Sequence, residues 1–200
     1  MLEIGNAQSY FACLSQTVRR LQFETIDRVC DLLLDAYDNG RMIYLFGNGG
    51  SAALASHFAC DLGKGAINGS KQRFRVLALT DNVPLMTAWA NDSRYEDIFA
   101  QQLANFVRKD DVAFAISGSG NSQNVLNALK LAREARATTV GLTGHQGGRM
   151  KELCDICMVV PSDNMQIIED IHLCVAHALF SAVRRKLSAD DRSKFASQGM

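Results

Sequence analysis

The sequence is poor in the residues that break or extend chains: it has two prolines and one tryptophan in 200 residues, which argues against proline-rich linkers and low-complexity stretches. Charge of one sign is also missing. Twenty-one basic side chains face 21 acidic ones, for a formal net charge of zero, so the chain lacks the electrostatic footprint of a dedicated nucleic-acid or acidic-membrane binder. No nucleic-acid or membrane partner is expected. No apolar run approaches the roughly 18 residues needed to span a bilayer. The first ten residues, MLEIGNAQSY, carry no basic region followed by an apolar stretch, so no leader is expected and a cytoplasmic address is the default.

The six cysteines, Cys13, Cys30, Cys60, Cys154, Cys157 and Cys174, are scattered through a mid-sized chain and read as free thiols rather than a disulfide frame. Cys154-Asp155-Ile156-Cys157 alone has metal or redox spacing. It has no second such pair and runs straight into apolar Met158-Val159-Val160, so it reads as structural. What the chain has in quantity is apolar residues, 48% by the broad count. At this length roughly 70% of the unfolded surface can be buried, so neither disulfides nor metal are needed for folding.

Residues 6–39 show helical spacing, with Leu14, Val18 and Leu21, then Ile26, Val29, Leu33 and Tyr37, and Asn39-Gly40 makes a helix stop. Five short apolar runs follow, at 42–46, 76–79, 112–116, 139–142 and 156–160. Each reads as a strand buried on both faces. Helical spacing separates them at 51–62, at 83–106 with a break near Asn91-Asp92, at 122–135 and at 148–153, and a last helix covers 165–187. Strand and helix in alternation predict a parallel sheet with right-handed crossovers, an α/β three-layer α-β-α sandwich. A single domain over 1–188 is expected, with 189–200 as a frayed polar tail.

In an open parallel sheet, ligands bind outside the carboxyl ends of the strands. Two glycine-rich loops stand there: Gly47-Asn48-Gly49-Gly50-Ser51 after the first strand and Ser117-Gly118-Ser119-Gly120-Asn121-Ser122 after the third. Glycine lets the backbone approach a ligand, and hydroxyls and helix-start amides suit a phosphate. Neither loop matches a nucleotide P-loop or the dinucleotide fingerprint. With no lysine or arginine inside them, a sugar monophosphate fits better than a triphosphate with its metal.

Asn48-Gly49-Gly50-Ser51 followed by His57, with Ala90-Asn91-Asp92, the 117–122 loop and Leu142-Thr143-Gly144-His145-Gln146-Gly147-Gly148, resembles the SIS (sugar isomerase) domain of phosphoheptose isomerases. The resemblance spans nearly the whole chain. It implies a flavodoxin-like SIS fold with a five-stranded sheet, amino-terminal oligomerisation helices, a homotetramer with sites between subunits, and isomerisation of sedoheptulose 7-phosphate to D-glycero-D-manno-heptose 7-phosphate. It also implies a zinc ion on His57, Asp61, Glu169 and His177, with Asp61 as base and His177 as acid in an enediol mechanism. Substrate contacts are implied at Asn48, Gly49, Gly50, Ser51, Asn91, Asp92, Ser117, Gly118, Ser119, Ser122 and Glu169.

The local chemistry agrees in part. His57 and Asp61 are four residues apart, one helical turn. Imidazole and carboxylate are ordinary zinc ligands, and an open position on the ion would polarise a sugar oxygen. Glu169 and His177, however, are separated by about 12 Å of helix rise, which strains a four-ligand set. His172 is expected behind the site or at an interface.

The chain departs from the family pattern at four places: Asp61 for a glutamate, Lys64-Gly65 for Gly-Arg, Gly118 for the middle threonine of Ser-Thr-Ser, and Glu169 for a glutamine. A second reading is a non-catalytic SIS scaffold like the branch that binds the replication initiator, or a sugar-phosphate-sensing module. The scaffold branch lacks the acid and the last histidine, and this chain keeps Asp61 and His177.

Overall fold

The computed structural model describes residues 4–67 and 72–197, with side chains described up to 188. Two amino-terminal helices, α1 (Ala7–Val18) and α2 (Phe23–Asp38), precede five βα units. These run β1 (Met42–Gly47), α3 (Gly50–Cys60), β2 (Arg75–Ala78), α4 (Val83–Asp92), α5 (Ala100–Ala104), β3 (Val112–Ser117), α6 (Gln123–Glu134), β4 (Thr138–Thr143), α7 (Met150–Leu153), β5 (Ile156–Val159) and α8 (Met165–Ser197). All strands are parallel, in the order β2-β1-β3-β4-β5. The chain steps outward from β1 to β2 and then returns to the other side of β1 for β3. That reversal opens a crevice between the carboxyl ends of β1 and β3, below the two glycine loops.

Alternation along the buried strands feeds two cores. Ile43, Leu45, Phe114, Ile116, Val140 and Leu142 pack with α2, α3 and α8, whereas Tyr44, Phe46, Ala113 and Ala115 pack with α5 and α6. This is the expected sandwich. The helical stretch 83–106 breaks where Asn91-Asp92 ends α4, and a short 3-10 turn, Tyr95–Asp97, leads to α5. β2 begins one residue earlier than the apolar run, at Arg75.

α8 is apolar and long enough over Met165–Ser188 to cross a membrane by length and composition alone. Its Ile167, Ile168, Ile171, Val175, Leu179 and Val183 are buried at 3% exposure or less, so it is a core helix of the sandwich. Its backbone stays helical to Ser197, ten residues past the expected end, because no proline or glycine stops it there. Within the expected frayed tail, the side chains of 189–197 and all of 198–200 lie outside the described residues. α1 is pinned to α8 by the Tyr10 hydroxyl donating to Asp170 at 2.6 Å, which pushes the phenol up to about 12. Lys186 of α8 pairs with Asp31 of α2 at 2.6 Å.

His172 is 1% exposed within this helix, and neither ring nitrogen has a hydrogen-bond partner. Burial pushes its pKa down to about 4; the nearby Thr143 backbone opposes that only weakly. The folded protein therefore holds His172 neutral, while an unfolded histidine takes a proton below about 6.5. Stability is full above that value and falls as pH drops from about 6.5 towards 4, by about 3 kcal/mol at most. Denaturant melts at pH 7 and pH 4.5 read this loss, and His172→Leu should flatten that part of the profile.

Candidate active site

α3 starts the site. Gly49, at φ +55°, turns the chain into the helix, and a Cβ on Gly47 would lie 2.5 Å from the Ile116 carbonyl, so β1 and β3 converge here as closely as glycine allows. Asn48 is not a free ligand arm. Its amide exchanges hydrogen bonds with Asn124 of α6 at 2.9 and 2.8 Å, and its carbonyl oxygen accepts from the Tyr95 hydroxyl at 3.0 Å. It ties the first loop to α6 instead.

The two helices that follow the glycine loops share a property that α1 and α4 lack. Asn6 and Asn82 cap α1 and α4 with side-chain hydrogen bonds, whereas α3 and α6, like α2, α5 and α7 away from these loops, have no side-chain cap, although Ser122 stands in the cap position of α6. Two uncapped helix starts at the switch point present amide N–H groups and positive dipole ends to an anion. The Ser117 and Ser122 hydroxyls lie 3.4 Å apart across the second loop.

That loop is held from behind by residues 144–150. Gly144 N–H donates to the Gly118 carbonyl at 3.0 Å, Met150 N–H to the Gly120 carbonyl at 2.9 Å, and Arg149 N–H to the Asn121 side chain at 3.0 Å. The start of α8 closes the other side. A Cβ on Gly118 would lie 2.5 Å from Met165 Sδ, and one on Gly144 2.4 Å from Ile168 Cδ1. Met165 thus fills the space that a larger residue at 118 would need. Because Met165 is a flexible, half-buried side chain that can give way, Gly118→Thr is expected to cost about 1 kcal/mol through overpacking, with Met165→Ala restoring most of it in the double variant. Thermal melts of the three proteins decide this; a wild-type melting temperature for Gly118→Thr alone would contradict it.

At the other end of α3, the helix passes into a π-helical turn, Asp61–Gly65. Such turns are rare and often mark functional sites. Here the turn carries Asp61 next to His57 and to His177 of α8. The two imidazole Nε2 atoms are 2.9 Å apart, and Asp61 Oδ2 lies 3.4 Å from His57 Nε2 and 3.9 Å from His177 Nε2. The shorter carboxylate reaches the cluster. Asp61 Oδ2 is buried with no hydrogen-bond partner, an arrangement that costs stability unless a proton or cation completes it. One nitrogen or oxygen from each of the three residues lies within 4.8 Å of the others. Two imidazoles and a carboxylate are a donor set that suits zinc.

Glu169 is not in that group. Its carboxylate lies over Gly50, 3.2 Å from where a Cβ would stand, at the positive end of α3. Three of the four residues expected on the metal thus come together, and the Glu169 carboxylate stands over the α3 start, outside that group. A cavity of about 340 Å³ lies between α3 and α8, lined by Gly50, Ser51, His57, Glu169 and His172 among others; Asp61, His177 and the second loop are not among its lining residues. A second cavity, about 230 Å³, lies across the first loop and includes Gly49, Thr80, Ala90 and Tyr95. Asn91 and Asp92 are exposed, bonded to each other at 2.7 Å, and are not among the residues lining either cavity. The roles of Met165, Asn124 and Tyr95 carried no sequence signal, since all depend on contacts between distant segments; the 142–148 stretch stood out as a motif, but its bracing of the second loop did not.

Comparison with known proteins places this arrangement. Residues 8–144 match the SIS domain family model. The phosphoheptose isomerase of Aliarcobacter butzleri is 38% identical over 175 residues, covering 88% of this chain and 92% of the relative. That of Helicobacter pylori (strain ATCC 700392 / 26695) is 37% identical, covering 86% and 88%. The solved phosphoheptose isomerase of Neisseria gonorrhoeae superposes with a TM-score of 0.82 at 30% identity, over 88% of this chain and 95% of that one. The fold also recurs in the Vibrio vulnificus NanR protein complexed with ManNAc-6P, at 18% identity and a TM-score of 0.64, over 97% of this chain and 68% of that one. The chain belongs to the phosphoheptose isomerase family of SIS-domain proteins.

Proposed function

We propose that this chain interconverts sedoheptulose 7-phosphate and D-glycero-D-manno-heptose 7-phosphate. The observations that carry the reading are the convergence of Asp61, His57 and His177 at the far end of α3 and the two helix starts without a side-chain cap at the glycine loops. The phosphate docks on the amides and hydroxyls of the second loop, Ser117, Ser119 and Ser122, and the first loop with Ser51 and Glu169 faces the sugar.

Moving a carbonyl between C2 and C1 requires a proton to leave one carbon and arrive at its neighbour, while the two oxygens exchange a proton. Asp61 takes the C1 proton of the ketose and returns it to C2 of the enediol. His177 donates to O2 as the enediol forms and withdraws the O1 proton as the aldehyde forms. His57, in contact with both, fixes which imidazole nitrogen carries the proton. His57, Asp61 and His177 would hold a zinc ion, which would supply a Lewis acid for the sugar carbonyl in place of the His177 proton.

Exposed Phe11, Phe23 and Leu173, at 65%, 53% and 40%, lie on α1, α2 and α8 and support a homotetramer built through these helices. Light scattering should return the mass of four chains. Among the described residues all six cysteines are free, which suits a reducing cytoplasmic address. The test of the activity is incubation of the zinc-supplemented protein with seven-carbon and six-carbon ketose phosphates, followed by chromatography of the products. Conversion of the heptulose phosphate is expected. Binding without turnover of any of them would favour the sensing-module reading.

A further inference from the structure

The Cys154/Cys157 pair is drawn into one notch. Gly141 of β4 pairs in register with Cys157 of β5, and having no side chain it leaves a gap on the face towards α7. A Cβ on Gly141 would meet Cys154 Sγ at 2.8 Å and Cys157 Sγ at 3.1 Å, so both sulfurs converge on the same point. The two sulfurs share this notch, and both residues are half-buried rather than sealed in the core. Four other cysteines are free as well, yet the Gly141 notch brings together only these two.

We propose that Cys154 and Cys157 are a peroxide-reactive dithiol whose closure to a disulfide loosens the second glycine loop. The neighbouring Cys154 lowers the Cys157 thiol, with burial opposing and Lys151 assisting, while the neighbouring Cys157 and burial raise Cys154. Cys157 is therefore the nucleophile. Its thiolate attacks a peroxide oxygen, breaking the O–O bond to give a sulfenic acid and hydroxide. Cys154 sulfur then attacks the Cys157 sulfur, and the displaced hydroxide takes the Cys154 proton. Two thiols lose two electrons and two protons, and hydrogen peroxide becomes two waters.

Closure has a path to the loop. Cys154 directly follows α7, and drawing its sulfur onto that of Cys157 at about 2.05 Å pulls the end of that four-residue helix towards β5. The first residue of α7, Met150, sits fully buried with its Cε 3.1 Å from the same Gly141 point, and its N–H holds the Gly120 carbonyl at 2.9 Å. Lys151, next in the helix, packs its Cβ 2.9 Å from the Cβ position on Gly147. The loop consequence rests on the phosphate-binding reading of 117–122; the disulfide itself does not.

The test treats the full-length protein with hydrogen peroxide, maps the thiols by mass spectrometry and titrates inorganic phosphate by calorimetry. A loss of two mass units in the peptide holding Cys154 and Cys157, reversed by dithiothreitol, is expected. Phosphate affinity should fall about fivefold, the weight of one backbone hydrogen bond. Cys154→Ser should keep the reduced affinity and gain oxygen at Cys157 instead of closing. Six thiols surviving peroxide, a bridge to another cysteine, or a 154–157 disulfide with unchanged phosphate affinity would each overturn the proposal. A reduced protein that takes up no phosphate would overturn the coupling together with the proposed activity, and the mass shift would still decide the disulfide.

Discussion

Asp61→Asn is expected to lower kcat for the heptulose phosphate by about 10²–10⁴-fold, the usual weight of a positioned general base. Asparagine keeps the size of the side chain but accepts no proton from carbon. The buried Oδ2 has no hydrogen-bond partner to lose, and its neighbours are two half-exposed imidazoles at 3.4 and 3.9 Å. Stability should therefore change little. A melting temperature within a few degrees of wild type, with kcat collapsed, is the expected pair of results. Glu169→Gln serves as the contrast. Glu169 stands over the α3 start and outside the three-residue cluster, so its variant should shift KM more than kcat. If Glu169→Gln proved as damaging to kcat as Asp61→Asn, the three-residue centre would be wrong.

The second large effect is expected at Gly120. This residue has φ +64°, a left-handed backbone in which a side chain is strained, and a Cβ there would lie 2.2 Å from the Gly147 carbonyl oxygen and 2.8 Å from Thr143 Oγ1. Neither the Gly147 backbone nor buried Thr143 can swing aside as a long surface side chain would. Left-handed strain costs about 1–3 kcal/mol and overpacking a similar amount, so Gly120→Ala should lose about 3 kcal/mol or more. For a chain of this size that corresponds to a melting temperature lower by about 6–12 °C. Because Gly120 also receives the Met150 N–H, the phosphate loop should suffer with the fold. Gly40→Ala is the control. Gly40 is also left-handed at φ +62°, but nothing lies within 4 Å of its Cβ position, so it should show the strain without the clash. Equal losses at the two positions would mean that the brace from 144–150 is not rigid.

Much of the architecture was legible in the sequence because buried parallel strands leave unbroken apolar runs. Val112–Ile116 is apolar at every position since both faces of β3 are covered, and the glycines that bound the runs mark the loops. The carboxyl-end rule then led from strands to loops without further information. His57 and Asp61 could be paired from spacing alone, one helical turn apart. His177 could not, since it reaches them from a helix 120 residues later, and only the resemblance supplied it. The resemblance also implied Glu169 on the metal and Asn48 on the substrate; in the structure the Glu169 carboxylate stands over Gly50, and the Asn48 side chain is bonded to Asn124 and Tyr95. The plug of Met165 against Gly118 was invisible for a different reason. It is a contact between a loop and a distant helix, and neither residue type signals the other.

Proton transfer by Asp61 at the sugar carbons is the centre of the account, and isotope exchange reads it directly. Sedoheptulose 7-phosphate is incubated with the zinc-supplemented protein in deuterated water and followed by proton NMR. The account predicts formation of the aldose phosphate with deuterium entering at C2 through the enediol, and neither event with Asp61→Asn although that variant still binds the sugar phosphate. Unchanged ketose with no deuterium in it after long incubation with the wild-type protein, or full activity in Asp61→Asn, would contradict it.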